Sequence, residues 1–315
     1  MKFNIRIALV GLCLALFGLL PLLAQAAGAA YFLDVALRIM IFAIAAVSLD
    51  LVLGYGGLVS FGHAGYLGAG AYAVAILSHH GIGNGFIHLA AAILAAALVS
   101  LVVGLVSLRT AGLHFIMITL GFGQMIYFLG TSLDTYGGED GTNITSTSNF
   151  GSLLDLGKGA TLYYVAYCTL VLVLFLLGRV VRSRFGMVIR GARMNERRMA
   201  AIGVPVFRYR LAAFVMSGTI CGLAGFLLAN QNLFVSPAMM HWTRSSELMI
   251  MVILGGVGSL VGPVFGAAAL LLLEAGLSRF TDHWQLLLGI VLLAVILFAK
   301  RGLFGALVAL GGRSE

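Results

Sequence analysis

Apolar runs close to the length that crosses the hydrocarbon core of a bilayer, about 17–25 residues, recur from one end of this chain to the other. They fall near 7–24, 32–53, 62–78, 86–108, 113–131, 161–181, 210–229, 245–258, 262–278 and 284–300. A large soluble core is also apolar, but its helices carry polar faces, and these runs lack them. Only 10% of the residues are charged, against about a quarter in soluble domains. The chain therefore reads as an all-α integral membrane protein of about ten transmembrane helices. Its 315 residues leave no stretch for a separate soluble domain, so 1–315 is read as a single membrane domain.

The charges orient these spans. Lys2, Arg6, Arg109, Arg179, Arg182, Arg184, Arg190, Arg193, Arg197, Arg198, Arg208, Arg210, Lys300, Arg301 and Arg313 fall on the side of the termini; Lys158, Arg244 and Arg279 fall opposite. Such a bias predicts a multi-pass protein with both termini in the cytoplasm. The net charge of +8 then reflects orientation among membrane lipids and calls for no nucleic-acid partner. The opening "MKFNIRIALVGLCLALFGLLPLLAQAAGAA" fits either a first membrane helix or a cleaved secretory signal. Cys13, Cys168 and Cys221 all sit in apolar runs and suggest neither a metal site nor a disulfide framework.

The stretch "GYGGLVSFGHAGYLGAGAYA", Gly54 to Ala73, holds seven glycines in twenty residues. Glycine costs roughly 1 kcal/mol relative to alanine inside a helix. Individually these glycines read as sites of close helix approach. As a cluster, with Ser60, Gly62, His63, Gly65 and Tyr66 together, they predict either a broken helix beside a wet path or a tight turn at the surface. A second stretch, "LGGVGSLVGPVFGAA", repeats Gly-Gly-x-x-Ser: Gly56–Ser60 is echoed by Gly255–Ser259, with Gly255, Gly256 and Ser259 in matching places. Paired glycine interruptions of this kind point to a transporter's path.

Few ionisable residues lie within spans. Asp34 and Arg38, four apart, are expected to form a local ion pair, and Glu274 nears the end of its run. Asp50 and Glu247 stand before the two glycine clusters and are candidates for function. His79, His80 and His88 are expected to be exposed loop residues. Between the sixth and seventh runs, "RSRFGMVIRGARMNERRMAAIGVPVFRYR" predicts a short helix from Met187 to Ile202. Ile189, Ala192, Met199 and Ile202 share one face, beside a stripe of Arg190, Arg193 and Arg197, and Gly203 and Pro205 stop it. A defined amphipathic helix at this place suits insertion into a partner's groove. No phosphate-binding Gly-x-x-x-x-Gly-Lys-Ser/Thr is present, nor a His-Glu-x-x-His or Gly-x-Ser-x-Gly motif. The chain carries no visible catalytic apparatus.

"LDLVLGYGGLVSFGHAGYLGAGAYAVAIL", "LHFIMITLGFGQMIYFL" followed by "GGEDG", the loop just quoted, "FVSPAMMHWTRSSELMIMVILGGVGSLVGPVFGAAALLLLE" and the ending "FAKRGLFG" occur in that order. Together they resemble the branched-chain amino acid ABC-importer permeases of the LivH/LivM group, in particular its LivM-like branch. The resemblance implies a LivH-like second permease subunit, a periplasmic solute-binding protein and two cytoplasmic ATPase subunits that bind ATP and Mg. It assigns ATPase coupling to the loop helix at 187–203, with Arg190, Arg193, Glu196, Arg197, Ala200 and Gly203. It assigns the outer loop motif to Gly137, Gly138, Asp140 and Gly141. The solute path is expected beside Asp50, Ser60, Gly62, His63, Gly65, Glu247, Gly255, Gly256 and Ser259. Asp50 departs from the family's usual Asn, and Glu139 and Asn143 lie where the loop is expected to vary with the solute. The implied solutes are branched-chain or other hydrophobic amino acids, with urea, amides or aromatic carboxylates as alternatives. A stand-alone secondary carrier is the rival reading; it would need its own coupling-ion site, for which only Asp50 and Glu247 are available.

Overall fold

The computed structural model describes residues 17, 18, 21, 30–145, 147–151, 156, 157, 159–279, 283–298 and 302–305. The expected first span at 7–24 lies outside the described residues but for positions 17, 18 and 21, as do the last two positions of the run at 284–300.

Helix α1, Ala30–Asp50, continues into a π-helical turn at Leu51–Tyr55. Next come α2 (His63–His79), α3 (Gly85–Ser107), α4 (Leu113–Thr131) and α5 (Gly159–Arg182). Two short helices, α6 (Arg184–Met194) and α7 (Glu196–Ala201), precede the long α8, Val206–Asn232. The described part closes with α9 (Trp242–Gly255), α10 (Gly262–Leu277) and α11 (Trp284–Phe298). Among the described residues, five stretches are long and apolar enough to cross a membrane: Tyr31–Tyr55, Gly85–Ser107, Leu113–Thr131, Gly159–Arg182 and Val206–Asn232. The expected runs at 62–78, 245–258, 262–278 and 284–300 form the shorter helices α2, α9, α10 and α11.

From Ile39 to Val47 α1 is apolar on every face and sits at the centre; 89% of the most apolar window of Tyr31–Tyr55 is buried. A helix of this kind needs neighbours all round, and it finds them in α5, α8, α9 and α10. α3 and α4 instead leave Leu94, Leu98, Val102, Met117, Met125 and Phe128 uncovered by this chain. In lipid, burial of apolar surface gives little drive for helices to associate; close van der Waals approach must hold them. α8 supplies it through Gly218, Gly222 and Gly225. A Cβ on Gly222 would overlap Ala96, one on Gly225 the Leu67 carbonyl, and one on Gly70 of α2 the Gly222 carbonyl. Most of the glycines from Gly62 to Gly70 therefore serve a regular helix pressed against its neighbours. Only the part before His63 is irregular.

One end of the bundle is rich in arginine. The other carries a two-residue antiparallel ribbon in which Thr142 faces Val235 and Asn143 faces Phe234. Gly137, Gly138 and Gly141, all at positive φ, turn the chain into that ribbon, leaving Glu139 and Asp140 exposed.

Several expectations change. Asp34 is not the partner of Arg38; the guanidinium lies 3.8 Å from Glu274 of α10. The i, i+4 spacing made a local pair possible, and packing of α10 against α1 supplied a competing carboxylate. His88 is not an exposed loop residue. It is fully buried at the start of α3, its Nδ1 2.8 Å from Ser148 Oγ and its Nε2 2.6 Å from the Ile82 carbonyl. His79 and His80 are exposed as expected.

Candidate functional site

Two polar centres link the helices around the glycine-rich stretch. The first stands at the start of α2. Leu58–Gly62 run without regular structure and lead back into the body of the protein. His63 thus meets Ser217, eleven residues into α8, about 16 Å from the start of that helix at 1.5 Å per residue. Ser217 Oγ donates to the Ser48 carbonyl of α1. It therefore accepts at 2.8 Å from His63 Nε2, which carries the ring proton. His63 Nδ1 is left to accept from Ser60 Oγ at 3.2 Å, and Ser60 Oγ accepts in turn from the Gly62 N–H. Thr119 Oγ1 of α4 accepts from the Phe61 N–H, and Ser245 Oγ of α9 from the Ala64 N–H. Ser60, His63, Thr119, Ser217 and Ser245 are all fully buried. The N–H groups of Phe61 and Gly62 in the irregular stretch, and of Ala64 in the first turn of α2, are thereby paired with buried hydroxyls. Gly65 lies just behind, against Ile126.

The second centre stands at the arginine-rich end, where the two glycine clusters meet. Asp50, 1% exposed at the end of α1, accepts through Oδ1 from the Gly258 N–H at 2.8 Å. Its Oδ2 is buried without a hydrogen-bond partner among the described residues. Gly54, in the π-helical turn, lies against Gly258 so closely that a Cβ there would stand 2.5 Å from the Gly258 nitrogen. Arg193 of α6 reaches into the same place and donates through Nη1 to the Gly54 carbonyl. A π-helical turn leaves backbone groups out of the regular ladder, and Arg193 uses one of them. The sequence echo thus marks two neighbours in space, with different serine roles. Ser60 belongs to the His63 centre, whereas Ser259 Oγ donates at 2.6 Å to the Gly256 carbonyl within its own turn. Gly255 is pressed against the Gly262 carbonyl, where α9 turns into α10.

Glu247 belongs to neither centre. It lies eight residues before Gly255, nearer the ribbon end, and accepts from Arg244 at 2.7 Å. The loop between α5 and α8 forms two helices rather than one. Asn195 ends α6 and caps α7, its side chain accepting from the Arg198 N–H. An Asn favours just this capping role over a helix interior. The expected apolar face divides accordingly. Ile189 and Ala192 are buried against the protein, while Ile202 points out with Met187 and Met194, the last 89% exposed. Arg190 is tied inward, to the Val181 and Gly186 carbonyls. Glu196 pairs with Arg210 of α8 at 2.6 Å. Arg197 and Ala200 are exposed, and Gly203 ends α7 at φ +83°, a conformation that disfavours side chains.

Sequence reasoning missed Ser48, Ser217, Ser245 and Thr119, isolated small polar residues within apolar runs. It also missed Gly54 and Gly258 as the point of contact. The signal available was the cost of an unpaired hydroxyl at membrane depth, which asks each such serine for a partner without naming it.

The profile of one protein family, described as "Branched-chain amino acid transport system / permease component", matches residues 31–297. The chain is 29% identical over 296 residues to the high-affinity branched-chain amino acid transport system permease protein LivM of Escherichia coli, covering 86% of this chain and 69% of that protein. The Salmonella typhimurium LivM protein gives the same values. A fructose import permease of Rhizobium meliloti is 28% identical over 193 residues, 57% of this chain and 53% of that protein. No solved structure matches the chain. The match across both glycine centres and the α6–α7 loop, carried by apolar helices long enough to span a bilayer, places this chain in the family of branched-chain amino acid transport permease components, as a multi-pass α-helical membrane protein of the LivM type.

Proposed function

We propose that this chain is one of two permease subunits of an ATP-driven importer in the bacterial cytoplasmic membrane, carrying branched-chain or other hydrophobic amino acids. Positions 1–315 then form a single permease domain with about ten membrane-spanning segments and both termini in the cytoplasm. The arginine-rich end faces the cytoplasm and the ribbon end the periplasm, as the charge bias asks. A periplasmic binding protein delivers the solute at the ribbon end. A LivH-like second permease completes the path, and two ATPase subunits bind ATP and Mg. This chain has the role of a transport subunit and not of an enzyme.

The observation that carries the reading is the Arg193–Gly54 hydrogen bond. α6 and α7 present Met194 and Ile202 outward, a short apolar edge that suits a groove on an ATPase. The same element holds the broken end of α1. Movement of a docked ATPase is thereby delivered to the junction of both glycine clusters, and the break before α2 becomes the segment that yields. The LivM relatives, aligned over 86% of the chain, favour amino acids over the sugar of the fructose permease, aligned over 57%.

The test is reconstitution in proteoliposomes with the second permease, the ATPases and the binding protein. Leucine uptake should require ATP and the binding protein together. Uptake by this chain alone, driven by an ion gradient, would overturn the proposal in favour of a secondary carrier.

A further inference from the structure

On the ribbon side of the His63 centre, with Ala64 in its wall, a cavity of about 210 Å³ opens between α1, α2, α8 and α9. Its wall includes Phe42, Leu67, Leu228 and Leu248, and its charged lining residues are Arg38 and Arg244. Their partners Glu274 and Glu247 do not line it. The guanidinium of Arg38 lies over the Phe42 ring, 5.8 Å from its centroid, at the meeting of the charged and apolar parts of the wall. Each guanidinium has five N–H donors in a planar fork. The ion pairs, 3.8 Å for Arg38 and 2.7 Å for Arg244, leave most of those donors for another acceptor. At a share of about 30 Å³ per water, the cavity has room for about seven non-hydrogen atoms.

We propose that this cavity is a binding site for a small monocarboxylate with an apolar tail, with Arg38 and Arg244 holding the carboxylate. A planar guanidinium matches the two oxygens of a carboxylate. A sugar of similar size would bring several hydroxyls against Phe42, Leu67, Leu228 and Leu248, with Asn232 the one uncharged polar side chain of the lining able to pair them. The inference rests on the import reading only in taking the transported amino acid as the natural occupant. It assigns that solute a resting place within this subunit, entered from the ribbon side.

The assembled transporter in lipid nanodiscs, without binding protein, tests the site by equilibrium binding of radiolabelled leucine. Competitors are 4-methylpentanoate (carboxylate without ammonium), 3-methylbutylamine (ammonium without carboxylate) and fructose. We expect 4-methylpentanoate to compete and the other two not to. Arg38→Gln and Arg244→Gln should each weaken leucine binding about tenfold or more, the scale of a charge-assisted hydrogen bond. Glu274→Gln, which breaks the same ion pair but keeps the guanidinium, should retain binding and so separates loss of the site from loss of fold. Unchanged leucine affinity in both arginine variants, or displacement by fructose, would overturn the site. Arginine-dependent binding of 4-methylpentanoate by a transporter that imports no leucine would instead keep the site and sink the import reading.

Discussion

Arg193 and Gly54, 139 residues apart in sequence, are joined by a hydrogen bond from a guanidinium to a backbone carbonyl. Through that bond the loop between α5 and α8 holds the end of α1. Asp50, four residues before Gly54, holds the turn after α9 through Gly258. The two contacts make one junction of α1, α6 and the α9–α10 turn. Nothing in it needs to titrate or react. Its chemistry is suited to transmitting displacement, since each contact is directional and each involves a backbone group, one in the turn that ends α1 and one in the turn between α9 and α10.

Arg193→Ala should therefore separate ATP hydrolysis from transport. The lost charge-assisted bond predicts a fall in uptake of about tenfold or more, with membrane insertion and ATPase assembly intact. Arg197→Ala, at an exposed position on α7, should have a smaller effect. Parallel assays of uptake and ATPase rate on the reconstituted transporter decide it; equal uptake by Arg193→Ala and wild type would remove the junction from the coupling route.

Asp50→Asn keeps an oxygen to accept from the Gly258 N–H and should retain most uptake. Asp50→Leu leaves that N–H without a partner in a buried place, at a cost of about 1–3 kcal/mol, and should lower both melting temperature and uptake. If Asp50→Asn abolished uptake while Asp50→Glu preserved it, the carboxylate charge itself would be at work and the hydrogen-bond account would fail.

The sequence made the helices legible because hydropathy at membrane depth leaves a chain few other choices. It also marked the glycine clusters and the arginine-rich loop. It placed a span at 62–78 but read the glycines up to Ala73 as a break or a turn, whereas His63–His79 is a regular helix, because glycine's low propensity is outweighed there by contacts that only glycine permits, as at Gly70 against Gly222. Nor did it show which way the loop turns. Ile189 and Ile202 share a face on one continuous helix, and the cap at Asn195 sends them apart. The distant partners of Arg38 and His63 were invisible for a plainer reason. Local spacing governs i, i+4 pairs, but packing across the bundle decides which carboxylate or hydroxyl arrives, 3.8 Å away at Arg38 and 2.8 Å away at His63.

The His63 centre predicts strong coupling between its members. Ser217→Ala removes the acceptor of His63 Nε2 and the donor to Ser48, and should cost about 1–3 kcal/mol of stability. His63→Ala removes the ring from its edge contacts with Tyr66 and Phe214 as well, and should cost more. Because both variants break the same bond, the double variant should be less destabilised than the sum of the two. Additive costs in denaturant unfolding of the purified chain would show that His63 and Ser217 do not act as a unit.

Gly70 offers the sharpest test of the packing argument. An alanine Cβ there would run into the Gly222 carbonyl oxygen, a backbone atom held by α8 on both sides and unable to rotate away. Helix propensity favours alanine over glycine by roughly 1 kcal/mol, while overpacking a tight contact costs about 1–3 kcal/mol or more. Here the obstacle is backbone, so the second effect should win and Gly70→Ala should lower the melting temperature of the purified chain. Gly121→Ala is the matched control: it lies within α4 and its Cβ would meet nothing within 4 Å, so propensity should prevail and stability hold or rise. If both variants melted at or above the wild-type temperature, α2 and α8 would have room between them. The glycines between Gly62 and Gly70 would then need an explanation other than close approach.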